Sequence, residues 1–204
     1  MPLQLLLVRH GETLWNQERR IQGLYADSPL SPLGQEQAQK TAEFLSLFPF
    51  DALYSSTLPR ARETAEILAK AHPLKPKPIL HAGLGEMHYG EWEGKTAEEL
   101  QRPFPKTIHT PEEFQFTCPQ GESYQQAFER FFQAIQDISQ ESFSHKKVVI
   151  VSHGMVILLF LSHLLGGYKN SKIFIHNCSI HRVDVMEPRT FKLITMNQIH
   201  HLDP

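Results

Sequence analysis

The chain has 204 residues, 41% of them hydrophobic, with a formal net charge of −2 at pH 7. That length suits one domain, residues 1–204, with a well-buried core, and the near-neutral charge argues against nucleic acid or an anionic membrane as the main partner, because those select basic surfaces. Any affinity for an anion must then come from a local cluster, and five of the nine arginines (Arg9, Arg19, Arg20, Arg60, Arg62) lie in the first 62 residues. Cys118 and Cys178 are too few for a disulfide framework and read as reduced thiols of a cytoplasmic protein. The initial apolar segment is too short for a signal peptide and runs straight into Arg9 and His10.

In chain order, the first apolar run, Leu5-Leu6-Leu7-Val8, predicts a strand buried on both faces and ends in Arg9-His10-Gly11. Ser31-Pro32 offers an N-cap and a first-turn proline, and Ala38, Ala42 and Leu45 follow at helical spacing. Residues 51–55 read as a short strand and 59–71 as a helix with Ala61, Ala65 and Leu68 inward. Segment 95–119 carries Pro103, Pro105, Pro111 and Pro119 among Phe104, Ile108, Phe114 and Phe116, and this proline density forbids one continuous helix. It reads either as a substrate lid or as an irregular loop packed on the core.

Ser123 with Gln126 has the form of a capping box, and Phe128, Phe131, Phe132, Ile135 and Ile138 trace the buried stripe of the helix that follows. The stretch 148–165 has about the length of a membrane span but holds Ser152, His153, Gly154, Ser162 and His163, so a strand, a tight turn and a buried helix explain it better. Strand-like segments at 179–185 and 191–196 close the chain around Pro188. Alternating strands and helices predict an α/β fold, a three-layer α/β/α sandwich with a mostly parallel central sheet. In such sheets ligands bind beyond the carboxyl ends of the strands, which is where both His10 and His153 fall.

The blocks around these histidines are specific. Arg9-His10-Gly11-Glu12-Thr13-Leu14-Trp15-Asn16 is followed by Gln22-Gly23, by DSPLSPLG at 27–34, by Ser55-Ser56 with Arg60-Ala61 and Thr64-Ala65, and by LGEMHYGEWEG at 84–94. Pro119-Gln120-Gly121-Glu122-Ser123 and Val151-Ser152-His153-Gly154 complete the series. In these blocks the chain resembles the histidine phosphatase superfamily, in particular its phosphoglycerate-mutase-like branch and the phosphatase type within it.

The resemblance implies the same three-layer fold and a site that needs no metal or cofactor. It makes His10 the nucleophile, forms the phosphate pocket from Arg9, Arg60 and His153, and adds Asn16 and Gln22 as donors beside Gly23. It also makes Glu86 the general acid. The chemistry suits these residue types. A phosphoryl group in transit spreads charge over three oxygens, and arginine's planar fork binds two of them with a permanent charge. His10 must be neutral to attack, and its second ring nitrogen calls for an acceptor, expected to be a backbone carbonyl of the adjoining loop. Gly11 is expected to let the backbone turn sharply and approach the phosphate.

A cysteine phosphatase is excluded, since the sixth residue after each cysteine, Tyr124 and Asp184, is not the arginine that would cradle phosphate. No glycine-rich loop ending in Gly-Lys-Ser/Thr occurs. The expected partner is a small-molecule phosphomonoester, and a homodimer is left open. Hydrolysis is favoured over a cofactor-dependent phosphoglycerate mutase because the segment after the acid block is short and carries few basic residues: Lys95, Arg102 and Lys106. α-Ribazole phosphate, a sugar phosphate and a phosphoglycerate all remain as substrates, and a non-catalytic phosphate-binding protein is the least favoured reading.

Overall fold

A computed structural model describes residues 2–100, 114–144, 146–167, 173–187 and 189–203. Its centre is a sheet built from β1 (Leu3–Arg9), β2 (Ala52–Ser55), β3 (Ile79–Leu80), β4 (Lys147–Ser152), β5 (Ile180–Glu187) and β6 (Thr190–Gln198). The strands lie in the order β3-β2-β4-β1-β5-β6. β1 to β4 run parallel, whereas β5 pairs antiparallel with β1 and β6 antiparallel with β5. The parallel part of the sheet therefore meets an antiparallel hairpin at β1.

Side-chain alternation divides the core in two. Leu3, Leu5, Leu7, Val148, Ile150, Val183 and Val185 face α4 (Tyr124–Glu141) and α5 (Gly154–Leu164). Leu6, Val8, Leu53, Val149 and Val151 face α2 (Pro32–Ser46) and α3 (Pro59–Ala71). The central strands are covered on both sides, which is why they read as unbroken aliphatic runs. A four-residue α1 (Leu14–Gln17) follows β1.

The local signals act as the residue types require. Ser31 caps α2 by accepting from Gly34 N–H at 3.0 Å, with Pro32 in the first turn. Ser123 and Gln126 form the reciprocal capping box of α4. Phe131, Ile135 and Ile138 are fully buried on that helix, and Phe128 and Phe132 pack against the core edge. No helix among the described residues is long and apolar enough to cross a membrane. Of segment 95–119, Leu100, Phe114 and Phe116 pack on the core, with Phe116 stacked on Trp92 at 5.7 Å. Residues 101–113, on which the lid reading depends, lie outside the described residues.

Gly11 has a different physical reason from the one the sequence suggested. It lies outside the left-handed region, and its N–H donates to Thr64 Oγ1 at 3.1 Å, so that group is already used within the protein. What demands a glycine is the N-terminus of α2, since a Cβ on Gly11 would sit 2.5 Å from Gly34 O. Reciprocally, a Cβ on Gly34 would come within 1.9 Å of Glu12 O. Both contacts are backbone and cannot swing aside. Gly11→Ala is expected to lower stability by about 1–3 kcal/mol, read from thermal unfolding.

His181 on β5 is fully buried; its Nε2 bonds Ser179 Oγ at 3.0 Å and its Nδ1 accepts from Asn197 N–H at 3.0 Å. Burial pushes it from 6.5 down to about 3. Between those values the unfolded chain binds a proton that the folded chain refuses, so stability falls as the pH drops below 6.5. Urea unfolding at pH 7, 6 and 5 should show His181→Asn losing about one proton's worth of this slope, about 1.4 kcal/mol per pH unit.

Candidate active site

β1 and β4 pair so that Arg9 lies opposite Ser152, and the next peptide extends the ladder, with His10 N–H donating to Ser152 O at 2.9 Å. The two histidines that follow these strands are thereby neighbours, with ring centroids 5.2 Å apart. His10 Nδ1 lies 2.7 Å from Gly11 O. A carbonyl only accepts, so Nδ1 carries the hydrogen and Nε2 keeps its lone pair. The acceptor expected from the adjoining loop is thus the very next carbonyl.

Burial, then Arg60 and Arg9, hold His10 well below its ordinary value, outweighing the bond to Gly11. The same causes act on His153, with burial first and Arg60 next. Both rings are neutral at pH 7. His153 Nε2 lies 2.8 Å from Ser56 Oγ, whose oxygen also accepts from Leu58 N–H at 3.2 Å. With the Ser56 hydroxyl donating to Nε2, His153 Nδ1 becomes an N–H donor.

Arg9 and Arg60 bring two permanent charges to these rings. Arg9 is anchored by Nη1 donating to Ile175 O at 2.5 Å. Burial presses its guanidinium below the usual value, opposed by Glu86. Arg60, in the first turn of α3, has no exposed side chain; Nη1 pairs with Asp27 Oδ1 at 2.6 Å and Nη2 donates to Gly23 O at 3.0 Å. Gly23 thus aims Arg60 through its carbonyl. Its own loop is held by the Glu93 carboxylate, which accepts from the N–H groups of Leu24, Tyr25, Ala26 and Tyr89. A Cβ on Gly23 would meet Glu93 Oε1 at 2.0 Å, and Glu93 hydrogen-bonds backbone N–H groups of the scaffold, so its role is structural.

Among the described residues, Arg9 Nε, Arg60 Nε and His153 Nδ1 are buried without a hydrogen-bond partner. Three orphaned donors around one histidine are costly unless a ligand accepts from them. Gln22 has an orphaned acceptor instead. Its Nε2 contacts Thr13 Oγ1, which already accepts from Asn16 N–H at 3.1 Å, while Gln22 Oε1 is buried and unpaired. Exchanging the amide ends lets the Thr13 hydroxyl donate to Gln22 Oε1 and frees the NH₂ as a donor. Asn16 Oδ1 accepts from Thr13 N–H and from Asn177 Nδ2, both at 3.2 Å, so its oxygen is committed to the scaffold.

Glu86 is the buried carboxyl of the cluster. Oε1 accepts from Met87 N–H at 2.9 Å and Val156 N–H at 3.3 Å, and Oε2 from Met155 N–H at 3.1 Å. It therefore sits on the N-terminus of α5, just after His153. Burial raises its pKa against the lowering effect of those N–H groups and of Arg60 and Arg9.

Other positioning groups were not singled out from sequence. Asp27 orients Arg60, and Thr64 bonds both Gly11 N–H and Arg60 O. Asn177 Nδ2 donates to His10 O at 3.0 Å, and Cys178 N–H lies within reach of Arg9 O and His10 O. Asp27 and Thr64 lie inside quoted motif blocks. Asn177 and Cys178 lie in an unremarkable loop before β5, and nothing local in the sequence points to them.

Residues 5–199 match the model of the histidine phosphatase superfamily, branch 1. The chain is 36% identical over 198 residues, 91% of its own length and 86% of the relative's, to a protein from Yersinia pestis (strain Pestoides F) described as "Probable phosphoglycerate mutase GpmB". Its fold is similar to Bacillus stearothermophilus YhfR, with a TM-score of 0.87, 31% identity, and coverage of 98% of this chain and 100% of that one. It is also similar to Entamoeba histolytica phosphoserine phosphatase in complex with 3-phosphoglyceric acid, with a TM-score of 0.80, 30% identity, and coverage of 98% and 99%. Sequence match and fold converge along nearly the whole chain, which belongs to the histidine phosphatase superfamily, branch 1.

Proposed function

We propose that this protein hydrolyses small phosphomonoesters through a phosphohistidine on His10. The observation that carries this reading is the His10 ring, buried, held neutral, and tied by Nδ1 to Gly11 O so that Nε2 is the free nitrogen. In the first step the Nε2 lone pair attacks phosphorus, the ester P–O bond breaks, and Glu86 gives its proton to the leaving oxygen. In the second, Glu86 takes a proton from water, the resulting hydroxide oxygen bonds phosphorus, and the P–N bond breaks to release phosphate. Arg9, Arg60 and His153 stabilise the three equatorial oxygens, a role supported by their unpaired buried donors.

The phosphatase reading is supported by the 30% identity to an Entamoeba histolytica phosphoserine phosphatase, also solved as a histidine-to-alanine mutant with phosphoserine. Mutase activity is the second reading, favoured by relatives at 35–36% identity described as probable phosphoglycerate mutases. The two differ only in whether water or a second substrate oxygen takes the phosphoryl group from His10. Both cysteines are buried thiols, which supports placing the enzyme in a reducing, cytoplasmic setting.

The decisive experiment is product analysis in EDTA over a panel of phosphomonoesters, with 3-phosphoglycerate tested with and without its bisphosphate. The expected result is phosphate release that survives EDTA and is lost, with the phosphoenzyme, in His10→Ala. Isomerisation without phosphate release would establish the mutase instead.

The pH profile should also be bell-shaped. Activity rises as His10 loses its proton, at a pH well below 6.5, and falls as Glu86 loses its own, above 4.5. Glu86→Gln should remove the alkaline limb, keep the acid limb, and slow poor leaving groups by about 10²–10⁴-fold. A profile in which both limbs persist in that variant would remove Glu86 from proton transfer.

A further inference from the structure

We infer that Arg130 on α4 is a positioning residue for the proton-donating carboxyl. It binds neither substrate nor the reacting atoms, and it acts by fixing the backbone that carries Glu86. The inference rests on Glu86 being the general acid.

The loop before Glu86 ends in a short 3₁₀ turn, Ala82–Leu84, whose last bond runs from Gly85 N–H to Ala82 O at 3.0 Å, and residues 86–89 belong to no strand or helix. Its carbonyls are taken up one by one from outside. Arg130 Nη1 donates to Gly83 O at 3.0 Å and Gly85 O at 2.9 Å, and Nη2 donates to Glu86 O at 3.1 Å. The intervening carbonyl, Leu84 O, accepts from Ser152 Oγ at 2.8 Å, at the end of β4 beside His153. Four consecutive carbonyls are thus pinned between one guanidinium and one hydroxyl.

The guanidinium is itself held. Arg130 Nη2 pairs with Glu122 Oε1 at 2.7 Å, and that same oxygen accepts from His88 N–H at 2.9 Å, on the far side of Glu86. Glu122 N–H in turn donates to His88 O at 2.9 Å. The stretch 83–88 is therefore clamped at both ends by one ion pair. The fork geometry matters, because three carbonyls and a carboxylate oxygen are met at once by a planar group with donors in fixed directions, and an ammonium cannot reproduce this.

The clamp has something definite to position. Glu86 seats its carboxyl on Met87, Met155 and Val156 N–H groups, two of which belong to α5, so small shifts of its backbone would break that seat. A proton donor displaced by about 1 Å can lose about 10²-fold in rate. A substrate whose leaving group needs no proton would be nearly indifferent.

The test uses the full chain. Arg130→Lys and Arg130→Met are each made alone and together with Glu86→Gln, and kcat/KM is measured for p-nitrophenyl phosphate and for phenyl and alkyl phosphates. Both single variants should lose about 10- to 100-fold on alkyl phosphate and less than about threefold on p-nitrophenyl phosphate. In the Glu86→Gln background neither should cost anything further. Arg130→Lys keeps the charge and carries the test if Arg130→Met fails to fold, and circular dichroism and thermal unfolding show which variants are native. Equal loss on all substrates, full retention of activity in Arg130→Lys, or losses that multiply in the double variants would overturn the inference. If Glu86→Gln alone loses equally on every substrate, the assignment of the acid fails first, and that outcome is visible without any Arg130 variant.

Discussion

The site depends on one constraint, the in-register parallel pairing of β1 with β4. Arg9 opposes Ser152, the ladder continues through His10 N–H to Ser152 O, and the rings of His10 and His153 are left 5.2 Å apart. A slip of one residue would turn every side chain of one strand to the opposite face and separate the two rings. The core prevents such a slip. Leu5 and Leu7 must face α4 and α5, while Leu6 and Val8 must face α2 and α3, and all four are buried. Packing of the sheet thereby sets the distance between two histidines that are far apart in the chain.

Two guanidinium groups, two neutral imidazoles and a buried carboxyl then share a small volume. Arg60 is stabilised by Asp27 and by the Gly23 carbonyl, and Arg9 by Ile175 O and the nearby Glu86. The histidines cannot also be charged, because burial and both arginines oppose protonation. Glu86 is shifted in the other direction, because burial raises its pKa against the lowering effect of the Met87 and Met155 N–H groups and of the two arginines. The polarity of the site is a consequence of its dryness. Burial disfavours the charged form of the two imidazoles and of the Glu86 carboxyl alike.

Backbone accounting explains much of the supporting cast. Residues of the candidate site are held by side chains that satisfy loop carbonyls and N–H groups: Thr64 on Gly11, Asn177 on His10, Glu93 on residues 24–26, and Arg130 on residues 83, 85 and 86. Buried peptide groups require partners, and irregular loops cannot supply them internally. Rigid positioning of the site and satisfaction of the backbone are one set of hydrogen bonds.

The sequence by itself determined the fold class and the identity of the central groups. The aliphatic runs ending at His10 and His153, the Ser31-Pro32 start of α2, the capping box at Ser123, and the segments of β2, β5 and β6 all follow from periodicity and turn chemistry that act over a few residues. The motif blocks named the residues that the fold gathers around His10. Tertiary structure decided what depends on neighbours distant in the chain. It made β5 and β6 an antiparallel hairpin against β1, gave Gly11 its reason in Gly34, chose Gly11 O as the acceptor for His10, and enlisted Asn177, Cys178 and Arg130. The physical reason is that local signals report the conformation of a segment, whereas hydrogen-bond partners, burial and protonation are set by which segments the closed core brings into contact.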